Sequence, residues 1–319
     1  MRSASLLLLK AAVTVLLIYL AVRTVSLEAV WERLGDISLS WIAVALAVLI
    51  FQILLQAIRW QQIVHAAGTR WPLSAALRVS FIAAFFNQTL PSTIGGDAAR
   101  IWMLAQLYKA GWRRATYSVF VDRAIGVFAL AVLVVACMPW TFSFIQDSAA
   151  RVAIALVGLA GIAGGVMFAA LGAAKGTRIE RLWIAHHVVA AAIVLRRVAV
   201  PLQRALLVAA LSIAIHLLTV FVAWSTARSI GAPASLLLIA CLIPPITLIA
   251  AIPITIAGWG LRESLMITAF TLAGHDAGDA FIISVLLGAA NFVVGLIGGL
   301  LWVSGRLNAA AIEAPASAA

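Results

Sequence analysis

The chain has 319 residues, 65% apolar and only 10% charged, with a mean hydropathy of +1.12. Soluble domains carry roughly 25% charged residues, so this composition excludes a water-soluble globular protein and points to an integral membrane protein. The net charge of +11 therefore asks which side of the membrane the charges occupy, rather than suggesting a nucleic-acid partner.

A hydrocarbon core of about 30 Å requires about 20 apolar residues per helix. The first such run is 6–22; Arg2 gives it a signal-peptide-like start, but no small-residue cleavage site follows and Arg23 closes it, so it reads as a retained span. The second run is 39–58. Next come twelve apolar residues, Val79 to Leu90, then Pro91-Ser92-Thr93-Ile94-Gly95-Gly96-Asp97, then a helix-compatible stretch to Tyr108. Neither piece is long enough to cross alone, which predicts a helix–loop–helix hairpin. Full spans follow at 115–138 and 151–172. Residues 175–204 mix Arg178, Arg181, Arg196 and Arg197 with Ile179, Leu182, Trp183, Ile184, Val188 and Val189, the pattern of a basic helix lying in the cytoplasmic interface. His186 and His187 belong to that interface.

The fifth span is 205–227. A second broken region follows: Ser235 to Ile252, interrupted by Pro244-Pro245, then Pro253 to Gly260, then Leu261 to Gly274. The last span is 280–304, and the small-residue segment 306–319 reads as a disordered cytoplasmic tail. Pro and Gly at membrane depth leave backbone groups that lipid cannot satisfy, so both breaks belong inside protein or beside a polar cavity. The expected fold is an all-α, polytopic bundle of about six full spans and two re-entrant hairpins, in one membrane domain over 1–305. The alternative is eight to ten spans, with the broken pieces crossing as short tilted helices.

The basic residues orient the chain. With both termini in the cytoplasm, Arg2, Lys10, Arg59, Arg70, Arg78, Lys109, Arg113, Arg114, Lys175, Arg178, Arg181, Arg196, Arg197, Arg204 and Arg306 lie inside, and Arg23, Arg33, Arg151 and Arg228 outside. Most loop acids (Glu28, Glu32, Asp36, Asp147, Asp276, Asp279) fall outside too.

A shift of 162 positions lays PSTIGGDAAR (91–100) over PITIAGWGLR (253–262), with five of ten residues identical. It also lays Gly126 over Gly288 and span 115–138 over 277–300. Each half, 6–138 and 151–304, thus reads span, span, hairpin, span. Three crossings per half invert the second half, and inverted repeats with broken helices are the recurrent plan of secondary transporters.

Six ionisable residues fall within apolar segments: Asp97, Arg100, Asp122, Arg123, Arg262 and Glu263. A charge at the bilayer centre costs at least about 2.5–3.5 kcal/mol, so such residues mark functional networks. Asp97 and Arg100 are three apart and can touch on a helix, whereas the adjacent pairs Asp122-Arg123 and Arg262-Glu263 point to different faces and need partners across helices. Gly95 and Gly96 precede one predicted helix, and Gly258 and Gly260 another, exposing N–H groups that favour a phosphate or carboxylate. Asp97 can fill that role as a helix cap, and the arginines can simply neutralise the acids. Asn87 and Gln88 mark the first hairpin tip. Gly161, Gly164, Gly165, Gly295, Gly298 and Gly299 have the spacing of close helix packing. His216 sits mid-span with no second ligand at metal spacing, and Cys137 and Cys241 lie in apolar runs, so neither metal nor cofactor is expected.

The segments FFNQTLPSTIGGDAARIWML (85–104), VDRAIGVFAL (121–130) and GWGLRES (258–264) resemble the flippase-like membrane family typified by the transmembrane region of lysylphosphatidylglycerol synthases. Leu90-Pro91, Gly95-Gly96-Asp97 with Arg100, Arg123, and Gly260 with Arg262-Glu263 fit its pattern; Ser92-Thr93 and Ala257 depart where glycine is usual. The resemblance covers about residues 6–305. It implies a bacterial inner-membrane protein that moves or accommodates anionic, aminoacylated or carrier-lipid-linked headgroups, with Asp97, Arg100, Asp122, Arg123, Arg262, Glu263, Gly95, Gly96, Gly258, Gly260 and Asn87 as substrate-binding candidates. Synthases of the family carry a soluble domain after the membrane part. Only fifteen residues follow Ser304 here, so lipid aminoacylation is not expected. Two alternatives stand beside a lipid flippase: a non-transporting partner of a lipid-synthesis or glycosyltransferase complex, and a membrane-embedded enzyme using Asp97 or Glu263 as acid or base.

Overall fold

The computed structural model describes residues 2–23, 25, 28, 33, 35, 37–90, 95–173, 183–252, 255 and 258–313. Among these there are eleven α-helices: α1 (Arg2–Arg23), α2 (Leu39–Ala66), α3 (Leu73–Thr89), α4 (Gly95–Trp102, continued by a π-helical turn to Leu107), α5 (Trp112–Phe144), α6 (Ser148–Leu171), α7 (Trp183–Ala199), α8 (Leu202–Ser229), α9 (Leu236–Ala250), α10 (Leu261–Leu272) and α11 (Ala277–Glu313). The protein is all-α and polytopic.

Five helices, α2, α5, α6, α8 and α11 up to Gly305, are long and apolar enough to cross a membrane. They match the second to sixth expected spans. The 22-residue α1 covers the first, with side chains described only from Ala11. By contrast, α3, α4, α9 and α10 have 17, 8, 15 and 12 residues. At 1.5 Å per residue, none reaches about 30 Å. The structure adjusts some expected boundaries. Gly95 and Gly96 are the first two residues of α4 rather than a turn before it. The segments 91–94, 253–254 and 256–257, the arginines Arg178 and Arg181, and residues 314–319 lie outside the described residues, and α11 continues to Glu313.

The hydrophobic clusters show where each hairpin opens. One cluster joins Trp60 and Val64 late in α2, Trp71 and Ala75 at the entry to α3, Met103 and Leu104 at the exit from α4, and Ala115 and Val119 early in α5. Trp71 and Tyr108, before and after the first hairpin, stack edge-on with ring centroids 5.4 Å apart. The first hairpin thus enters and leaves at one end of the bundle. A second cluster joins Ala227 and Ile230 at the end of α8, Leu238 in α9, Phe270 in α10 and Ala280 to Ile283 early in α11, and it contains Ile145, which follows α5. Since α5 begins at one mouth and ends at the other, the hairpins open at opposite ends.

The halves are related by the 162-residue shift, which carries α2, α3 and α5 onto α8, α9 and α11 to within a few residues. Helix packing has the same symmetry: α2 with α3 and α8 with α9, α3 with α11 and α9 with α5, α4 with α5 and α10 with α11. The equivalent helices α2 and α8 run antiparallel. Ser38 donates its N–H to Ser229 O, Trp41 meets Trp224, Gln52 meets Ile215 and Thr219, and Arg59 meets Ser212. Rising numbers on one helix pair with falling numbers on the other, so the repeat is inverted.

Small residues set the closest approaches. A Cβ on Gly298 would overlap the Phe81 carbonyl of α3, and one on Gly161 or Gly165 would collide with Ala131 or Phe128 of α5; Gly295 and Gly299 also face α3. Gly164 faces open space. The basic helix α7 buries Val189, Ala191, Ala192, Val194 and Val198 against α2, α5, α6 and α8, leaving Arg196 and Arg197 exposed. His187 is more than interfacial: its Nδ1 shares a 2.7 Å hydrogen bond with Tyr117 OH.

Candidate functional site

The first site begins on α2, where Gln52, Gln56 and Arg59 fall at helical spacing on one face of an otherwise apolar span. Arg59 was expected at the cytoplasmic surface, and the structure corrects this. α2 continues to Ala66, and Arg59 is 7% exposed inside the bundle. Its Nε donates to Asp122 Oδ1 at 2.9 Å, and its Nη1 to Ser212 Oγ at 3.2 Å.

From Asp122 the network runs into the first hairpin. Arg100 Nη2 donates to Asp122 Oδ2 at 2.9 Å, and its Nη1 lies 3.6 Å from Asp97 Oδ1. Arg123 Nε closes the chain on Asp97 Oδ2 at 2.6 Å. Charges thus alternate from Arg59 through Asp122, Arg100 and Asp97 to Arg123. Desolvation makes buried ions expensive, and alternation with bonds to several carboxylate oxygens offsets that cost. The Arg100 guanidinium also lies over the Trp60 ring, 3.9 Å from its centroid, while Trp60 Nε1 donates to Ser118 Oγ. Asp97 pairs with arginines as expected from its spacing to Arg100. Asn87, at the end of α3, accepts the Gly96 N–H at 2.9 Å and ties the two arms of the hairpin together.

The second hairpin carries the equivalent arginine. Arg262 Nε donates to Ser284 Oγ at 3.0 Å, a residue 22 positions later, as Asp122 is from Arg100. Arg262 Nη2 also reaches Glu263 Oε1 at 2.8 Å, which corrects the expectation that these neighbours point apart. They meet because Glu263 sits in the first turn of α10 and folds back: its Oε2 accepts the Gly260 N–H at 2.6 Å, and Ser284 Oγ donates to its Oε1. Gly258 and Gly260 have φ of +81° and +83°. Gly260 also packs where a Cβ would press on Leu17 and the Thr14 carbonyl of α1. Glu263 therefore occupies the anion position at this helix start.

Two neighbouring cavities result. The first, about 310 Å³, is lined by Asn87, Asp97, Arg100, Asp122 and Arg123 together with Arg59. The second, about 170 Å³, is lined by Arg262 with a majority of apolar side chains, and Glu263 is buried beside that arginine. Gln52, Thr219, Thr247 and Asn291 line both and form the wall between them. Gly95 and Gly96 are buried where α4 presses on α3: a Cβ on Gly96 would strike the Ala83 carbonyl and Asn87. The expected site residues therefore divide between two places rather than converging on one.

His216 lines the first cavity and donates its Nε2 hydrogen to Gly126 O at 2.9 Å. Among the described residues no group of three His, Cys, Asp or Glu is placed to hold a metal. Sequence reading missed Gln52, Gln56 and Arg59, which line the first cavity from α2, and Trp60, which is fully buried beneath Arg100. Their 52, 56, 59 spacing was the available signal, hidden because the apolar run ends at residue 58.

No curated protein matches the chain closely enough to be named as a relative. The family model described as the lysylphosphatidylglycerol synthase TM region matches residues 7–299, so this polytopic, inverted-repeat chain belongs to that lipid-related membrane family.

Proposed function

We propose that the protein translocates lipids, passing an anionic headgroup between leaflets through the cavities beside its two hairpins. One observation carries this reading: Arg100 and Arg262 occupy equivalent positions in hairpins that open at opposite ends, each bonded to the residue 22 positions on, with a shared polar wall between their cavities. An inverted repeat supplies two arrangements of similar energy that face opposite sides. A guanidinium suits a headgroup phosphate because it donates in a planar fork.

The basic residues support an orientation. Arg70, Arg78, Lys109, Arg113, Arg114, Arg196, Arg197 and Arg204 flank helix ends at the first mouth, whereas Arg151 and Arg228 flank the second. By the positive-inside rule the first hairpin opens to the cytoplasm of a bacterial inner membrane, with both termini on that side. A transporter fits the site better than an enzyme does. Glu263 accepts hydrogen bonds at both oxygens, and Asp97 accepts one from Arg123 at Oδ2 and pairs with Arg100 through Oδ1, so both carboxylates are engaged in balancing arginines.

Proteoliposomes of the purified full chain, with a fluorescent phospholipid and a membrane-impermeant quencher, test the proposal. The expected result is protein-dependent leaflet exchange that falls at least tenfold in an Arg100→Ala, Arg262→Ala double variant. Exchange that is unchanged in this variant removes the arginines from the mechanism. Absence of exchange by the folded wild-type protein, with stable co-purification of a lipid-modifying enzyme, favours the scaffold reading instead.

A further inference from the structure

The polar wall between the two cavities is built from four helices: Gln52 on α2, Thr219 on α8, Thr247 on α9 and Asn291 on α11 line both spaces. Its donors are almost all spent on the protein. Gln52 Nε2 donates to Ile215 O at 3.2 Å and to Thr219 Oγ1 at 2.8 Å. The two hydroxyls donate backward along their own helices, Thr219 to Ile215 O and Thr247 to Ile243 O, and Asn291 Nδ2 donates to Leu287 O. A backbone carbonyl only accepts, so these bonds fix which end of each amide is the oxygen.

What the wall keeps is therefore oxygen. Gln52 Oε1, Asn291 Oδ1 and the two threonine oxygens retain lone pairs, against one remaining N–H on Asn291. Gln52 is only 7% exposed, and its Oε1 is buried with no hydrogen-bond partner among the described residues. Buried acceptors at membrane depth need a partner that lipid cannot supply. The end of α9 adds negative character. This 15-residue helix is too short to cross, and at its C-terminus Ala250 lines the second cavity and Ala251 the first, one turn after Thr247. A helix C-terminus carries partial negative charge, and half-helix ends of this kind coordinate small cations in inverted-repeat transporters.

Oxygens beside a helix C-terminus call for a cation, and their type narrows which one. The residues that line both cavities offer no carboxylate, imidazole or thiolate. Divalent cations and transition metals rely on such ligands, whereas neutral oxygens suit a singly charged hard ion. The arginines do not oppose it. Glu263 balances Arg262, Asp122 and Asp97 balance Arg59 and Arg100, and the side chain of Arg123 is 48% exposed.

We infer that the wall between the cavities binds a small monovalent cation, Na⁺, through the side-chain oxygens of Gln52, Thr219, Thr247 and Asn291. The site stands apart from lipid movement, but its place gives it a role there. A cation on the wall and an anion beside Arg100 offset each other's charge, so each tightens the binding of the other.

Binding of radiolabelled Na⁺ to the full chain in detergent tests the inference, with N-methylglucamine as the replacing cation at constant chloride. Paired melting curves in the two salts give a second readout, since a ligand of the folded state raises the melting temperature. The expected result is saturable Na⁺ binding and a higher melting temperature in Na⁺. Thr247→Val and Asn291→Leu, made separately, are each expected to weaken binding at least tenfold and to lose most of that rise. Their melting temperatures in N-methylglucamine report whether they fold. Absence of saturable binding by the folded wild-type protein leaves water as the partner of the wall and overturns the inference, as does unchanged affinity in whichever variant folds. If neither variant folds, wild-type binding alone decides. Na⁺ binding without leaflet exchange sustains the inference while removing translocation, and exchange by a protein that binds no Na⁺ does the reverse.

Discussion

The two hairpins share a scaffold and differ in how their arginine is balanced. In the first, Arg100 is held by carboxylates from its own helix and from α5, and Arg59 and Arg123 join the same two acids. In the second, Ser284 stands at the position of Asp122, and the balancing carboxylate is Glu263, next to the arginine itself. The first site thus links α2, α4 and α5 through charge and keeps a positive excess beside the larger cavity. The second is neutralised within one turn of α10 and borders the smaller one. The two arginines keep equivalent positions while their balancing acids do not: the first is shared across three helices, and the second is neutralised by its own neighbour.

The largest effect is expected where that difference is deepest. Asp122→Ala leaves Arg59 and Arg100 buried without their shared acid. Removing one partner from a buried pair costs about 3–5 kcal/mol, so the variant should show a sharp fall in folded yield and melting temperature in detergent. A variant as stable as wild type would mean that water or lipid already solvates both arginines.

The equivalent glycines sharpen the comparison at intermediate magnitude. A Cβ on Gly288 would meet the Arg262 side chain and lie 2.8 Å from the Trp259 ring, whereas one on Gly126 would lie 3.6 Å from Arg59, an ordinary contact. Overpacking of this kind costs about 1–3 kcal/mol. Gly288→Ala should therefore destabilise and Gly126→Ala should be close to neutral, as read by paired thermal unfolding curves. Equal effects would show that the two arginines have equal freedom.

The smallest effect belongs to Ser284→Ala, which removes one neutral group from a pair that Glu263 still balances. A hydrogen bond of this kind is worth about 0.5–1.5 kcal/mol. The loss should be several-fold smaller than for Asp122→Ala in the same assay; a similar loss would make the hydroxyl an essential part of the second site.

Much of this was legible in the sequence because membrane physics writes in long runs. Apolar length gave the spans, Pro and Gly at membrane depth gave the hairpins, and the 91–100 and 253–262 segments gave the repeat. What escaped was local or tertiary. Arg59 follows an apolar run directly and so resembles a surface charge, yet the helix continues past it and its partner lies 63 residues away. Arg262 and Glu263 were expected to diverge because neighbours on a regular helix do; a glycine cap turns the glutamate back. The placement of Trp60 beneath Arg100 depends on packing between two separate helices, which spacing within either one does not encode.

The pairing of α2 with α8 also bears on how the chain is made. Gln52 and Arg59 bond to residues 153 to 167 positions later. At synthesis rates of about 5–20 residues per second, α8 leaves the ribosome roughly 10–30 s after α2. During that interval the newborn first half holds a charge whose final surroundings do not yet exist. Asp122 reaches the membrane sooner and can neutralise Arg59 while the amide of Gln52 still waits. The ion pair is then a provisional shelter during biogenesis before it is part of any binding site.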